Sequence, residues 1–472
     1  MLGTLLEKEL KDIIYSTKFS VTFAAAAVLV LLSFYVGIRN YQGSMREYEA
    51  ARLADANNIS ALTDWRQAQH KVFRKPQPLQ VLVNGVTNDI GRTTEIRSQG
   101  ELTAINSRFS VDPLFAVFRF LDLNFVIVIV FSLFAILFGY DAINGEKEAG
   151  TLKLVFSNSV SRAQFILSKL LGSLIALIIP LLVPLLIGCL MMLGFGVPLS
   201  GDEWTRLVVL LAGGLLCFAA FLTLSIMISG LVTRSSVSFL ISLVVWIFAV
   251  LIVPKGSVLA AAQLVDVPNV DMVEAQKRKF SSQQFDDRRK KMENWINANA
   301  KPDFDWSSLF NAYQDSVGKA YEKEREEFYG RLNEDWRNRK EYQERWAFGF
   351  SRISPTALFQ IAAMNLANTD VALKYRYLDN LDRYQDQYAD FIKKKVGTLG
   401  GMRIVLRFAG QPGQEDEKPK QLNPTELPEF SEITRPLGET LASALPDMGL
   451  LGVLMALCFA GAFAAFLKFD LR

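Results

Sequence analysis

Residues able to do chemistry are concentrated in one charged stretch, Asp141–Lys169, which reads DAINGEKEAGTLKLVFSNSVSRAQFILSK. Glu146, Glu148 and Arg162 are charged side chains able to meet opposite charges on a partner. Leu152, Val155 and Phe156 recur at steps of three and four, which puts an apolar ridge on one helical face. Anchors at that spacing dock helices into grooves. Gly150 suits a turn with positive φ. Thr151 is expected to cap a short helix, and Ser161 with Gln164 fits a capping box that opens the next one. Two readings stay open: a plain re-entry turn, or a docking element for a soluble partner.

Other chemistry is missing. No Gly-x-x-x-x-Gly-Lys-Ser/Thr loop, Gly-x-Ser-x-Gly elbow or His-Glu-x-x-His pair occurs. The sequence therefore predicts no catalytic site. Cys189, Cys217 and Cys458 all lie in apolar runs, so no disulfide framework is expected. His70 is the only histidine and has no cysteine nearby, which argues against a His-based metal site; carboxylate sites stay open. A net charge of +3 is too small to point to nucleic acid.

The elements around the island are apolar. Residues 123–140 before it and 170–200 after it carry no charge. A run near 20 apolar residues crosses a bilayer. Half of the chain is hydrophobic (50%) and mean hydropathy is +0.20, so several spans coexist with a sizeable aqueous part. Spans are expected at 19–38, 122–140, 166–193, 206–232, 237–254 and 447–467. Residues 1–18 read as an interfacial helix with Leu6, Leu10, Ile13 and Ile14 on one face, opened by a Thr4/Glu7 capping box. Pro180 and Pro184 inside the third span are a packing kink or a hinge. Gly213, Gly214, Ser225, Ser229, Ser238 and Ser242 suit close helix packing.

Two insertions remain, 39–121 and 255–445. In the first, 43–72 is expected to be helical, Leu79–Val83 a strand, Asn84-Gly85 a turn and Thr93–Ile96 a second strand. In the second, Trp306, Phe310, Tyr313, Val317, Tyr321, Phe328 and Leu332 predict one arm of a helical hairpin, with a turn at Lys301-Pro302. The stripe is read as hairpin seam rather than a binding strip. Met402–Phe408 reads as a strand and 411–424 as a linker. Starting and ending at one face, the insertions are expected to pack as one unit. Lysines and arginines of the short loops put the island, 141–165, the N-terminus and the tail 468–472 on the cytoplasmic side. The span interiors show no ionisable residues, which argues that energy comes from outside the membrane.

Glu146-Lys147-Glu148, Gly150-Thr151-Leu152 and Ser161-Arg162 followed by Lys169 resemble the signature after the second helix of ABC-2 type transporter permeases. PQPLQVLVNGVTNDIGRTTEI and SPTALFQIAAMNLANTD resemble segments of a subfamily with a large extracytoplasmic domain; the second runs near the membrane surface there. The resemblance implies a polytopic α-helical membrane protein with six transmembrane helices, ABC-2 or type V exporter-like, plus a mainly helical extracytoplasmic domain from two insertions. It implies that Glu146, Lys147, Glu148, Gly150, Thr151, Leu152, Val155, Phe156, Ser161 and Arg162 form a coupling segment contacting an ABC ATPase subunit. That partner would bind ATP and Mg²⁺, with no cofactor in this chain. A second permease, identical or homologous, would complete the path in a bacterial inner membrane. The rivals are a machine that moves its outer domain against a periplasmic protein, and a polytopic membrane enzyme.

Overall fold

The computed structural model describes residues 2–65, 68–96, 102, 104–105, 121–157, 160–299, 306–396 and 421–467. The expected turn at Lys301-Pro302, the strand Met402–Phe408, most of the linker and the tail 468–472 lie outside the described residues. Six helices among the described residues are long and apolar enough to cross a membrane. The chain divides into two units. One comprises Met1–Pro254, Ser351–Lys395 and Glu417–Arg472; the other comprises Lys255–Phe350 and Val396–Asp416. The second insertion is therefore split: 351–395 and its end share a unit with the first insertion, and 255–350 belongs to the other unit.

In the larger unit, α1 (Leu2–Ile14) precedes the first span, α2 (Thr17–Ser60). Ser16 caps α2 by accepting from Phe19 N at 3.1 Å. Thr4 lies inside α1 rather than at its cap. The second span, α3, runs Leu123–Phe125, widens to a π-helix over Val126–Phe131, and resumes over Ser132–Gly139. Two short helices follow, α4 (Asn144–Glu148) and α5 (Thr151–Ser157). The next spans are α6 (Arg162–Gly194) and α7 (Gly201–Leu231). The fifth, α8, runs Ser235–Ile247, widens over Phe248–Ile252, and resumes over Val253–Leu264. Between the two wide segments, Trp246 Nε1 donates to Ser132 Oγ at 2.8 Å.

Small residues set the helix spacing. Gly188 faces Phe34, Gly139 faces Ser225, and Gly214 faces Ile127. Ser225 Oγ donates to Ile136 O at 3.1 Å, which satisfies a hydroxyl that hydrocarbon would otherwise strand. Ser238 and Ser242 are buried.

The first insertion forms a three-stranded antiparallel sheet: β1 (His70–Phe73), β2 (Thr93–Ile96) and β3 (Ala104–Ile105). His70 pairs with Ile96 and Phe73 with Thr93. The strand expected at Leu79–Val83 is instead a 3₁₀ turn over Pro78–Val81. Proline at its start fixes φ, and Leu79, Val81, Leu82 and Val83 are all buried, so no alternating face exists. A Cβ on Gly37 of α2 would sit 2.1 Å from Val81 O, so only glycine admits this turn.

Three helices of the second insertion follow: α9 (Val270–Asn299), α10 (Trp306–Ser351) and α11 (Pro355–Leu366). α9 and α10 make the hairpin of the smaller unit. Phe280 stacks on Phe328 at 4.1 Å and Trp295 on Tyr313 at 4.7 Å, while Tyr321 Oη donates to Asp287 at 2.6 Å. Tyr313, Tyr321 and Phe328 of the stripe thus form the seam.

α12 (Leu373–Val396) lies on the sheet in the larger unit. Tyr377, Leu381, Tyr384 and Tyr388 form its buried stripe. Tyr384 Oη is 2.9 Å from His70 Nε2, and His70 Nδ1 is 2.8 Å from Asp55 Oδ2. The only histidine is a structural pillar between the first span's extension and this helix.

The last span is α13 (Leu437–Leu467). Ser354 caps α11 with Pro355 in its first turn, and Asn368, at φ 56°, ends it in the left-handed region. α11 packs on α7 and α13. Its Pro355 O accepts from Cys217 Sγ at 3.7 Å, one residue past the midpoint, Leu216, of Gly201–Leu231. α7 is about 46 Å long at 1.5 Å per residue, against a hydrocarbon core of about 30 Å. One charge, Lys169 of α6, stands inside an expected span. Asp447, expected at the edge of the last span, lies ten residues into α13 and holds Arg352 through Nε at 2.6 Å.

Candidate coupling site

The island is braced from four directions by its own charges. Glu146 on α4 accepts at Oε1 from Lys8 Nζ and Lys169 Nζ, both at 2.7 Å. Lys169 also pairs with Glu9 Oε1 at 2.7 Å. Glu9, Glu146 and Lys169 are buried, so α1, α4 and α6 meet around a desolvated ionic cluster. Close packing permits it: a Cβ on Gly172 would lie 2.6 Å from Glu9 Cβ. Burial pushes the Glu9 carboxyl up, although Lys169 pulls it down. Lys18 adds a second tie from α2, donating to Asp141 at 2.6 Å and to Tyr140 Oη at 3.0 Å.

Glu148 serves the fifth span. Its two oxygens accept from Ser235 N at 2.8 Å and Ser235 Oγ at 2.9 Å. A carboxylate there satisfies an orphan donor at the start of α8 and faces the positive end of its dipole. Those bonds and Arg234 hold the exposed carboxyl below its usual range. Ser229 Oγ of α7 accepts from the backbone N–H of Ile143 and Asn144 at 3.2 and 3.3 Å, which seats the start of α4.

Gly150 joins α4 to α5 at φ 71°, the left-handed conformation its sequence position predicted. Thr151 is not a cap; it is the first residue of α5, and its hydroxyl donates back to Glu146 O at 3.1 Å. Leu152 is buried, and Val155 and Phe156 are half-buried against the core. Phe156 lies 5.5 Å from Phe165 and 5.9 Å from Phe466, which themselves stack at 5.1 Å. The ridge expected to point at a partner thus turns inward. Ser161 and Gln164 form the expected capping box. Arg162 Nη1 donates to Phe466 O at 3.0 Å and closes the end of the last span. Lys147, Glu148, Ala149, Gly150, Ser157 and Ser161 remain exposed. α6 continues through Pro180 and Pro184 without interruption.

Sequence reasoning named the island but missed Lys8 and Lys169 as partners of Glu146, Glu9 as the second partner of Lys169, and Ser235 and Phe466 as anchors of Glu148 and Arg162. The pairings that leave the island span from 87 to 304 residues. The available signal was a charged Glu9 beside an apolar helical face, with Lys169 one turn inside a span.

Among the described residues, six membrane-length helices and a short amphipathic turn between the second and third define a multi-pass helical membrane protein. A family model described as ABC-2 family transporter protein matches residues 4–471. The chain belongs to that family, the membrane components of ABC transporters, and is a permease rather than a catalytic subunit. A comparison with curated proteins finds no match.

Proposed function

We propose that this permease couples ATP hydrolysis by a separate ABC ATPase to export, with the ATPase docked on the turn at 141–165. The observation that carries the reading is the bracing of that turn. Glu146 reaches α1 and α6, Glu148 reaches α8, and Arg162 reaches α13. A push on α4 and α5 is thereby delivered to several helices at once, which suits a rigid-body rocking transition. The contact surface is the exposed crest, Lys147 to Gly150 with Ser157 and Ser161, rather than the inward ridge. ATP and Mg²⁺ belong to the ATPase. A second permease, a copy or a homologue, completes the path. The lysines and arginines of the short loops favour a cytoplasmic island and cytoplasmic termini in a bacterial inner membrane.

The test is capture of the ATPase by tagged permease. Ala149→Arg on the crest should cut capture at least tenfold while the chain stays inserted. Undiminished capture and ATPase turnover would return the stretch to a plain re-entry turn.

A second reading has one observation in its favour. The smaller unit is a hairpin whose α10 has 46 residues, about 69 Å of helix. Such an arm could act on a periplasmic protein with nothing transported. Purified complex in proteoliposomes separates the two: ATP turnover that moves no cargo supports force transmission.

A further inference from the structure

The first two spans part at the ends nearest the island and leave a slot. Phe19 and Phe23 of α2, with Phe134 and Phe138 of α3, stand half-buried at its mouth. Thr22 and Ala26 of α2, Leu177 and Leu181 of α6 and Phe218 of α7 are buried and make its floor. The slot holds about 260 Å³, mouth included. An apolar cavity of about 150 Å³ already takes a benzene ring. The one polar side chain in the lining is Thr22, and its hydroxyl is spent within its own helix, on Lys18 O at 2.7 Å and Phe19 O at 3.2 Å. A buried water needs two to four polar partners, so this space does not suit water. Left empty, it would deprive the lining of its packing contacts. Hydrocarbon is the filling that fits.

The tie above the slot fixes its level. Lys18 bridges the start of α2 and the end of α3, donating to Asp141 Oδ2 at 2.6 Å and to Tyr140 Oη at 3.0 Å. A tyrosine beside a charged pair at the end of a span belongs at the headgroup level. From Phe19 to Ala26 α2 rises about 11 Å, so the slot occupies the third of a 30 Å hydrocarbon core, roughly, that adjoins those headgroups. The pair at its top is in contact with solvent: the side chains of Lys18 and Asp141 are 43% and 33% exposed. An ammonium carries three donors, of which Asp141 and Tyr140 take two, and a carboxylate has a second oxygen to offer. A cation and an anion side by side match a headgroup that is itself a phosphate joined to an ammonium.

We propose that the slot binds one acyl chain of a phospholipid with a primary-ammonium headgroup. Its phosphate meets the third donor of Lys18, its ammonium donates to Asp141 Oδ1, and its chain runs between the four phenylalanines onto Leu177 and Leu181. The proposal needs only that these helices span a bilayer, so it stands apart from ATPase docking on the island.

The experiment uses full-length permease in nanodiscs of phosphatidylcholine carrying a trace of phospholipid with a photoreactive diazirine in its acyl chain. Three probes differ in headgroup alone: phosphatidylethanolamine, phosphatidylcholine and phosphatidylglycerol. Adducts are mapped by peptide mass spectrometry and normalised to those around Leu190 and Val244, exposed residues of α6 and α8 outside the slot. The ethanolamine probe should label 19–26 and 134–138 about fivefold more than the choline probe, which has no N–H to donate; that factor is the upper range for an ion pair in contact with water. Asp141→Asn should erase this preference. Thr22→Phe, which fills the floor, should remove the slot adducts of all three probes and leave those at Leu190 and Val244. No adducts in the slot of the wild type would mean that protein from a second copy closes the mouth, and would overturn the proposal. Equal labelling by the three probes, which ordinary lipid contact gives, would also overturn it, as would a preference for the glycerol probe or slot labelling that survives Thr22→Phe. If either variant fails to insert, the three probes on the wild type still decide. Labelling needs neither ATP nor the ATPase.

Discussion

Lys169→Met should separate a buried ionic cluster from a decorative one. The methionine keeps most of the stem's volume and removes the ammonium. Lys169 is bonded at 2.7 Å to both Glu9 and Glu146, and the three side chains are 6%, 9% and 10% exposed. Removing the shared cation leaves Glu9 with no bonded cation in the cluster, while Glu146 keeps Lys8. Breaking a buried pair by deleting one partner costs about 3–5 kcal/mol, because the remaining charge stays desolvated. Lys8 gives the contrast within the same cluster. Its side chain is 41% exposed, so water already competes for it, and Lys8→Met should cost only about 0.2–1 kcal/mol. The assay is equilibrium unfolding in mixed detergent micelles, read by tryptophan fluorescence, with wild type and both variants side by side. A Lys169→Met loss several times that of Lys8→Met is expected, together with faster proteolysis of the 2–14 helix. Equal losses for the two variants, or a Lys169→Met loss under about 1 kcal/mol, would refute the desolvation argument.

Two further outcomes follow from contacts elsewhere. Gly188→Ala puts a Cβ 2.3 Å from the Phe34 ring, so α2 and α6 must move apart; a loss of about 1–3 kcal/mol is expected in the same unfolding assay, with no loss at Gly194→Ala, where nothing lies within 4 Å. Glu432 is raised by burial, against the pull of Arg74 and Arg376, and its Oε2 has no hydrogen-bond partner. A carboxyl that binds its proton more tightly when folded adds stability below its unfolded pKa and loses it as pH rises through the folded value. Thermal stability should therefore fall across that range, above about pH 4.5, and Glu432→Gln should flatten the slope; an unchanged slope would remove Glu432 as its source.

Local signals carried the parts of this fold that were legible. The six spans came from unbroken apolar runs, the Ser161/Gln164 box and the Gly150 turn from residue types at fixed offsets, and the hairpin seam from aromatic periodicity. What the sequence concealed depends on partners far along the chain. Leu152, Val155 and Phe156 look the same whether the ridge faces a partner or Phe466, so periodicity could not choose between them. SPTALFQIAAMNL is too short to be read as a span, and nothing in it announces that Pro355 will meet Cys217. The β1 strand, His70–Phe73, was hidden inside an expected helix because its register depends on Thr93–Ile96 and its cover on Tyr384 and Tyr388.

The wide turns at Val126–Phe131 and Phe248–Ile252 give the second and fifth spans something the other spans lack among the described residues: slack. A π turn accommodates one residue more than the α count, as a wrinkle in a carpet holds spare length. Moving the wrinkle one position along breaks and remakes only a few hydrogen bonds, yet each residue it passes is turned by about 100° around the axis. Trp246 and Ser132 sit just before one wrinkle and just after the other, joined by a single hydrogen bond. The second and fifth spans are thus fastened together at the place where each is easiest to rewind, so a displacement of one has a direct route into the twist of the other.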